Sequence, residues 1–230
     1  MKKLFLSVLF VMVLTPAAFA ASVTGKAVFT GTPPAPEKID MKADPTCSAA
    51  GAENTAEGVV VNSNGTLKNV FVYVKEGLPE GQTYETPQEK VTMNQQGCKY
   101  SPHVFGAQVN QPIEIVNSDA TLHNVHGTPP TGKQFNLGMP IQGMKLTRKF
   151  DAPEIMVKFK CDVHPWMNAY AGILPHPFFA VTGEDGSFEI KNLPPGDYVL
   201  EAWHEKFGVQ TQNITVGEAD SPAADFSFAG

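Results

Sequence analysis

Three side chains that can bind a soft metal ion lie within seven residues of one another, at Cys161, His164 and Met167. A thiolate and a thioether favour a soft ion, and imidazole suits copper in either oxidation state. A trigonal site of two histidines and one cysteine with a weak axial methionine is the blue-copper arrangement, so one more histidine has to come from elsewhere. An upstream segment supplies two candidates, His123 and His126. These residue types and their spacing predict one copper site.

The residues alone leave the choice between these two histidines open. His123 and His126 are three positions apart in a segment that favours a strand, so their side chains point to opposite faces. Only one of them can readily meet Cys161. The other would be a structural or surface histidine.

A half-buried strand is predicted to carry the cysteine. Ile155, Val157, Phe159 and Cys161 share one face in a period of two, and lysines occupy the other face. The ligand loop would therefore begin at the end of a rigid strand, where side chains are held tightly.

The motif Cys-x-x-His-Pro-x-Met, together with the upstream His-Asn-Val-His, resembles amicyanin and, more broadly, the plastocyanin-like cupredoxins. The resemblance covers residues 99–173, about a third of the chain. It implies a cupredoxin-like Greek-key β-sandwich with one type 1 copper ion bound by His123, Cys161, His164 and Met167. It also implies that Asn124 restrains the loop that carries the cysteine.

The same resemblance implies where a redox partner would dock. In these proteins the second histidine ligand, here His164, lies at a solvent edge ringed by apolar residues. Pro165 and Trp166 would supply such an apolar patch. The alternative for Trp166 is burial between two domains.

The flanks of this region predict a second all-β unit. An Asp-Gly turn at 185–186 leads into an alternating strand, and a second turn at 192–196 precedes another. This stretch resembles the carboxypeptidase regulatory-like (transthyretin-like) β-sandwich, a non-catalytic module whose first strands would be 25–28 and 69–74. Residues 70–74 are apolar on both faces, which indicates a central strand covered on both sides.

The predicted fold class is therefore all-β. Gly and Pro are plentiful, at 20 and 19 of 230 residues, and no long amphipathic helix is evident. We expect a cupredoxin domain at 89–176 inserted in, or packed on, a small sandwich formed by 21–88 and 177–230. Two tandem domains are the alternative.

Residues 1–20 predict an export signal. Lys2 and Lys3 precede an apolar run at 4–14, and residues 18–20 form a small-x-small cleavage motif. The apolar run is too short for a good membrane span. We expect cleavage near Ala20 and a periplasmic or secreted protein without a membrane span.

The charge of the exported chain disfavours two classes of partner. Loss of Lys2 and Lys3 leaves 15 of the 17 basic side chains against 23 acidic ones, a formal net charge of −8. Such a charge argues against nucleic acid and anionic lipid as partners. An acidic surface can steer a basic redox partner, although solubility explains the charge equally well.

The chain has three cysteines, and an odd number indicates a thiol with a separate task. If Cys161 binds the metal, Cys47 and Cys98 remain to pair, as export favours. Such a bridge closes a loop of about 51 residues, worth roughly 4 kcal/mol in chain entropy. The alternative is that both are free and buried.

The function predicted from these observations is that of a type 1 copper protein, not an enzyme, that carries single electrons between redox partners. A cytochrome, an oxidase or a dehydrogenase would serve as the partner. One alternative is a copper-binding protein for storage, delivery or resistance, which would favour loose, solvent-open coordination. Another makes the second sandwich the working part, as an adhesion or carbohydrate-binding module.

Overall fold

The computed structural model describes residues 21–49, 55–218 and 222–230, and the predicted export signal at 1–20 lies outside them. Strands dominate the described ranges, and the only helix in them has five residues. No helix in this part of the chain has the length and apolar character needed to cross a bilayer.

The helix is α1 (Pro45–Ala49), and the strands in chain order are β1 (Ala21–Thr30), β2 (Phe71–Glu76), β3 (Val91–Gln96), β4 (Lys99–Ser101), β5 (Val104–Gln108), β6 (Ile113–Asn117), β7 (His123–Thr128), β8 (Phe135–Met139), β9 (Lys145–Arg148), β10 (Glu154–Lys160), β11 (Asn168–Leu174), β12 (Phe179–Val181), β13 (Ser187–Leu193), β14 (Gly196–His204), β15 (Gly208–Val216) and β16 (Phe226–Ala229).

These strands build two sandwiches of two sheets each. In the flanking sandwich, the sheet β13-β1-β16 packs on the sheet β12-β2-β14-β15 around residues such as Val72 and Phe228. In the ligand sandwich, the sheet β5-β11-β10-β7-β8 packs on the sheet β4-β3-β6-β9 around residues such as Ile115 and Phe159. The predicted all-β fold class is confirmed for the described residues: apart from α1, their regular structure consists of strands, arranged as two packed β-sandwiches.

The order of the strands places one sandwich within the other along the chain. Strands β1 and β2 precede, and β12 to β16 follow, the run from β3 to β11 that builds the ligand sandwich. Residues Ile39, Met41 and Cys47 precede β2 but pack in the core of the ligand sandwich. The boundaries predicted at 88 and 177 stay predictions.

Strand β2 is covered on both faces, as its sequence indicates. Val72 and Val74 enter the core of the flanking sandwich, whereas Phe71 and Tyr73 belong to a third apolar cluster that faces the ligand sandwich. All four side chains are buried. A strand between two layers has to be apolar on both faces.

Two glycines let the sandwiches approach closely. Gly106 of β5 and Gly172 of β11 are partners in a parallel register, and opposite them the rings of Phe71 and Phe179 stack with centroids 5.7 Å apart. A Cβ atom at Gly172 would lie 2.3 Å from the Phe71 ring, and one at Gly106 would lie 2.2 Å from Phe179. Because β11 starts directly after Met167, this contact anchors the downstream end of the ligand loop.

Strand β10 departs from the predicted alternation at a bulge. The register shifts between Glu154 and Val157, and Met156 adopts a φ of 61° there. The extra residue changes which face the preceding side chain occupies. Ile155 is therefore 37% exposed, and the prediction that it faces inward is wrong. Val157, Phe159 and Cys161 are buried on the inward face, as predicted.

We expect Gly172→Ala to lower the free energy of unfolding by about 1–3 kcal/mol, because the added methyl group overlaps the Phe71 ring. Equilibrium denaturation measures the change. Gly138→Ala in β8 is the matched control, since a Cβ there meets nothing within 4 Å and should cost less than about 0.5 kcal/mol. Equal losses in the two variants would contradict this account of the contact.

Candidate metal centre

Three of the predicted ligands converge where β7 begins and β10 ends. His123, Cys161 and His164 each place a donor atom within 4.8 Å of the others. The two Nδ1 atoms of the histidines are 3.0 Å apart, and Nδ1 of His164 is 3.7 Å from Sγ of Cys161. None of the three residues is more than 2% exposed. Two imidazole nitrogens and one sulfur thus surround one small volume, as in a trigonal His₂Cys site.

The disulfide predicted between Cys47 and Cys98 is present beside this centre. Both cysteines also belong to neighbouring groups of potential metal ligands in the described residues. A sulfur in a disulfide is not a thiolate, and the thiolate is the form that binds metal. Cys161 is the free cysteine, so the centre consists of His123, Cys161 and His164.

The backbone closes the loop that carries the ligands. The amide of Cys161 donates to the carbonyl of Met167 (3.1 Å), and the amide of Met167 donates to the carbonyl of His164 (2.9 Å). Met167 is 1% exposed and shares the core of Cys161. Pro165 further limits the loop because its ring fixes φ. The fourth predicted ligand is therefore held in the same buried region as the other three.

Asn124 braces this loop from β7. Its Oδ1 accepts a hydrogen bond from the amide of Asp162 (2.7 Å) and lies 3.3 Å from Sγ of Cys161. Its Nδ2 donates to Oδ1 of Asn136 (2.7 Å) and to Oδ2 of Asp162 (3.1 Å). The side chain thus ties the cysteine loop to two neighbouring strands.

His126 lies away from the centre. Its Nδ1 is 3.0 Å from Oδ2 of Asp162, and its side chain is 23% exposed. Because His126 lies three positions after His123 on the same strand, its side chain is on the opposite face. The structure brings His123, the histidine chosen by the family resemblance, to Cys161.

Each histidine of the centre has a carboxylate on its other ring nitrogen. Oδ2 of Asp119 is 2.9 Å from Nε2 of His123, and Oδ2 of Asp44 is 3.1 Å from Nε2 of His164. Since a carboxylate only accepts, Nε2 carries the proton of the neutral ring and Nδ1 is the nitrogen that can bind metal.

The sequence predicts neither aspartate. Asp119 stands four residues before His123, a proximity that could have drawn attention to it. Asp44 is 120 residues from His164, and no local pattern connects the two.

The metal-free centre favours a thiolate beside an imidazolium. Burial alone would lower the pKa of His123, but its hydrogen bonds to Asp119 and Cys161 outweigh burial and raise the pKa to about 9. Burial alone would raise the pKa of the Cys161 thiol, but hydrogen bonds from His123 and from nearby backbone amides lower it to about 6. His123, Cys161 and His164 would hold a metal ion here, and the ion would take the place of the Nδ1 proton of His123 as the partner of the thiolate.

The donor set fits copper. One thiolate and two imidazole nitrogens favour copper or zinc over magnesium or calcium, which prefer oxygen ligands. The carboxylates of Asp44 and Asp119 lie behind the rings, where they orient the imidazoles.

His164 does not lie at a solvent edge, so the expectation drawn from the resemblance is wrong at this residue. The N-terminal segment covers it: Asp44 bonds to Nε2, and Sγ of Cys47 is 3.6 Å from the same atom. Pro165 is exposed, whereas Trp166 is half-buried and its ring centroid is 5.2 Å from that of His164. Trp166 lines a cleft of about 210 Å³ together with Lys206 of the flanking sandwich, so it lies near both sandwiches.

The comparisons with known proteins are partial. The family described as polysaccharide lyase family 4, domain II, matches residues 162–223, from the ligand loop into the flanking sandwich. The curated proteins provide no match.

Three solved structures illustrate the resemblance to part of this chain. A copper-containing nitrite reductase from Thermus scotoductus SA-01 is 20% identical, with a TM-score of 0.35 over 43% of this chain and 25% of its own. A purple cupredoxin from Nitrosopumilus maritimus is 20% identical, with a TM-score of 0.32 over 36% of this chain and 98% of its own. A reduced amicyanin variant is 17% identical, with a TM-score of 0.33 over 44% and 97%. Matches at this level carry no argument about what this chain binds.

We expect the affinity for zinc, used as a probe of the centre, to rise about tenfold per pH unit between pH 6 and 9. The thiol of Cys161, whose pKa is about 6, is mostly ionised over this interval, but His123, whose pKa is about 9, must lose a proton before it can bind. The rise should end near pH 9 and steepen below pH 6, where the thiol is protonated too. Competition with a chelator of known affinity measures it.

Asp119→Asn provides the control for this prediction. Removal of that carboxylate takes away the strongest hydrogen bond that raises the pKa of His123, so the rise should end at a lower pH. An affinity that does not change between pH 6 and 9 in the parent protein would contradict the proposed proton displacement.

Proposed function

We propose that this protein is an exported type 1 copper protein that carries single electrons between redox partners. One observation carries the proposal: two Nδ1 atoms and one thiolate sulfur converge in a buried site, with each imidazole held from behind by a carboxylate. His123, Cys161 and His164 would hold the ion, with Met167 as the weak axial ligand. When bound, copper supplies the Cu(I)/Cu(II) couple. No bond-making chemistry is assigned to the protein.

The rigidity of the centre supports electron transfer over copper storage or delivery. His123 starts a paired strand, Cys161 follows another, and the loop between Cys161 and Met167 is closed by its own hydrogen bonds. Ligands fixed in this way change little between oxidation states, so little reorganisation opposes electron transfer. Delivery of copper needs a ligand that another metal-binding group can reach, and all three donors are buried.

Electrons leave the site through Trp166 in this proposal. The covered imidazole of His164 offers no surface to a partner, but the indole packs on it and reaches the cleft beside exposed Pro165. The indole nitrogen donates to the carbonyl of Cys98 (3.0 Å), which fixes the ring. The partner is a redox protein, and the formal net charge of −8 of the exported chain favours a basic one.

Export is supported by two features of the chain. Residues 1–20 have the composition of a signal peptide, and the bond between Cys47 and Cys98 suits an oxidising compartment. A periplasmic or secreted location is therefore part of the proposal.

Absorption and EPR spectra of the Cu(II)-loaded protein test the proposed function. We expect an intense blue or green charge-transfer band with narrow copper hyperfine splitting, because a thiolate ligand is bound in trigonal geometry. Cys161→Ser and His123→Ala should both lose this band. His126→Ala is the matched control and should keep it, since His126 lies on the other face of β7.

A pale, tetragonal Cu(II) signal from the parent protein, or no bound copper, would overturn the electron-carrier proposal. Circular dichroism of each variant separates loss of the ligand from loss of the fold.

A further inference from the structure

We propose that Asp44 is a positioning residue for the copper site: it fixes the tautomer of His164 that directs Nδ1 at the ion, and its charge lowers the reduction potential. This inference rests on the proposed function for its redox part. Asp44 comes from a segment that precedes β2 and belongs to no sheet of the ligand sandwich, yet its Oδ2 lies 3.1 Å from Nε2 of His164.

The carboxylate of Asp44 is itself held in place. Its Oδ1 accepts hydrogen bonds from the amides of Thr46 (2.7 Å) and Cys47 (3.3 Å) at the start of α1. Its Oδ2 accepts one from Oγ1 of Thr121 (2.9 Å) on the same side as the imidazole. With three donors besides the imidazole, the carboxylate has a defined orientation, and a surface aspartate that met the ring by chance would lack this support.

His123 is held by a carboxylate in the same way as His164. Asp119 accepts hydrogen bonds from the amides of Gly97 (2.8 Å) and Cys98 (2.9 Å) and bonds to Nε2 of His123. The disulfide joins Cys47, whose amide bonds to Asp44, to Cys98, whose amide bonds to Asp119. One covalent link thus ties together the two backbone segments that orient the two carboxylates.

These contacts have an electrostatic consequence for a bound ion. Two negative charges behind the imidazoles favour Cu(II), which has the higher charge, over Cu(I). Groups that hydrogen-bond to a ligand typically change metal affinity 10–100-fold. If the low end of that range is taken as the difference between the two ions, loss of one such charge lowers the preference for Cu(II) over Cu(I) about tenfold. This corresponds to a rise in potential of about 59 mV for one electron.

Asp44→Asn changes the charge and the donor pattern without changing the shape. The new side chain has one oxygen, which must accept the hydrogen bonds from the backbone N–H groups of Thr46 and Cys47. Its NH₂ group therefore faces Nε2 of His164. Two donors cannot share that contact, so the imidazole is expected to move its proton to Nδ1, the atom that should bind copper. The Nδ1–H of His123, which lies 3.0 Å from this atom, must then bond to the thiolate of Cys161 alone. Asp40→Asn is the matched control, because exposed Asp40 bonds to the amide of Lys42 and the net charge changes equally.

The first test uses the metal-free protein and needs no copper. Long-range proton–nitrogen NMR spectra at a pH where the ring is neutral report which nitrogen of His164 carries the proton. We expect Nε2–H in the parent protein and in Asp40→Asn, and Nδ1–H in Asp44→Asn. Nδ1–H at His164 in the parent protein would overturn the positioning role, and this result does not require that the Asp44 variant folds. Nε2–H retained in a folded Asp44→Asn would overturn it as well, because the contact with His123 alone would then set the tautomer.

The second test measures the reduction potential of the copper-loaded proteins. A rise of about 59 mV in Asp44→Asn, with the Asp40→Asn value unchanged, is the expected result. Equal potentials in the parent and Asp44→Asn would overturn the electrostatic part. If the parent shows no type 1 spectrum, the proposed function fails, and the NMR result alone still decides whether Asp44 positions His164.

Discussion

The site depends on the pairing of charged groups that are almost out of contact with water. A buried thiolate or imidazolium costs several kcal/mol unless each has a partner. The pair of Cys161 and His123 supplies the first contact, and Asp119 compensates the imidazolium from the other side. Asp119 needs donors in turn and takes them from the backbone of Gly97 and Cys98. The conformation of the loops around the site therefore has to satisfy a series of hydrogen bonds, each needed by the group before it, that begins at the sulfur of Cys161.

The rest of the fold restricts the motion of these hydrogen-bonded groups. Cys161 follows β10, the middle strand of a five-stranded sheet, and Met167 precedes β11, which β5 and β10 flank. The outer face of that sheet packs on the flanking sandwich through the close approach of Gly106 and Gly172 to two phenylalanine rings. A loop with both ends in paired strands and one strand pressed against a second domain has little freedom to rearrange when a metal changes its charge.

The sequence predicts an interaction best when the interacting residues are close together along the chain. The cysteine, histidine and methionine of the loop lie within seven residues, so their types and spacing could be read directly. The apolar pattern of β2 on both faces likewise predicted a covered strand. The bulge at Met156 could not be predicted, because the alternation of side chains gives no sign of a single residue with positive φ. Asp44 could not be predicted either, since only the fold brings it to His164.

The cover over His164 changes what such a site can do. An imidazole at the surface gives a partner the shortest path to the metal, but it also admits water and competing ligands. Here Asp44 and the disulfide cover the imidazole of His164. This cover favours stable binding of a metal ion, but it prevents a redox partner from contacting the imidazole directly. In the proposed function, the remaining path would run through the indole that packs on the same imidazole and would end beside an exposed proline. A partner that docks there would meet residues of both sandwiches, because the cleft beside Trp166 is also lined by Lys206. The second sandwich would then shape the docking surface as well as support the first.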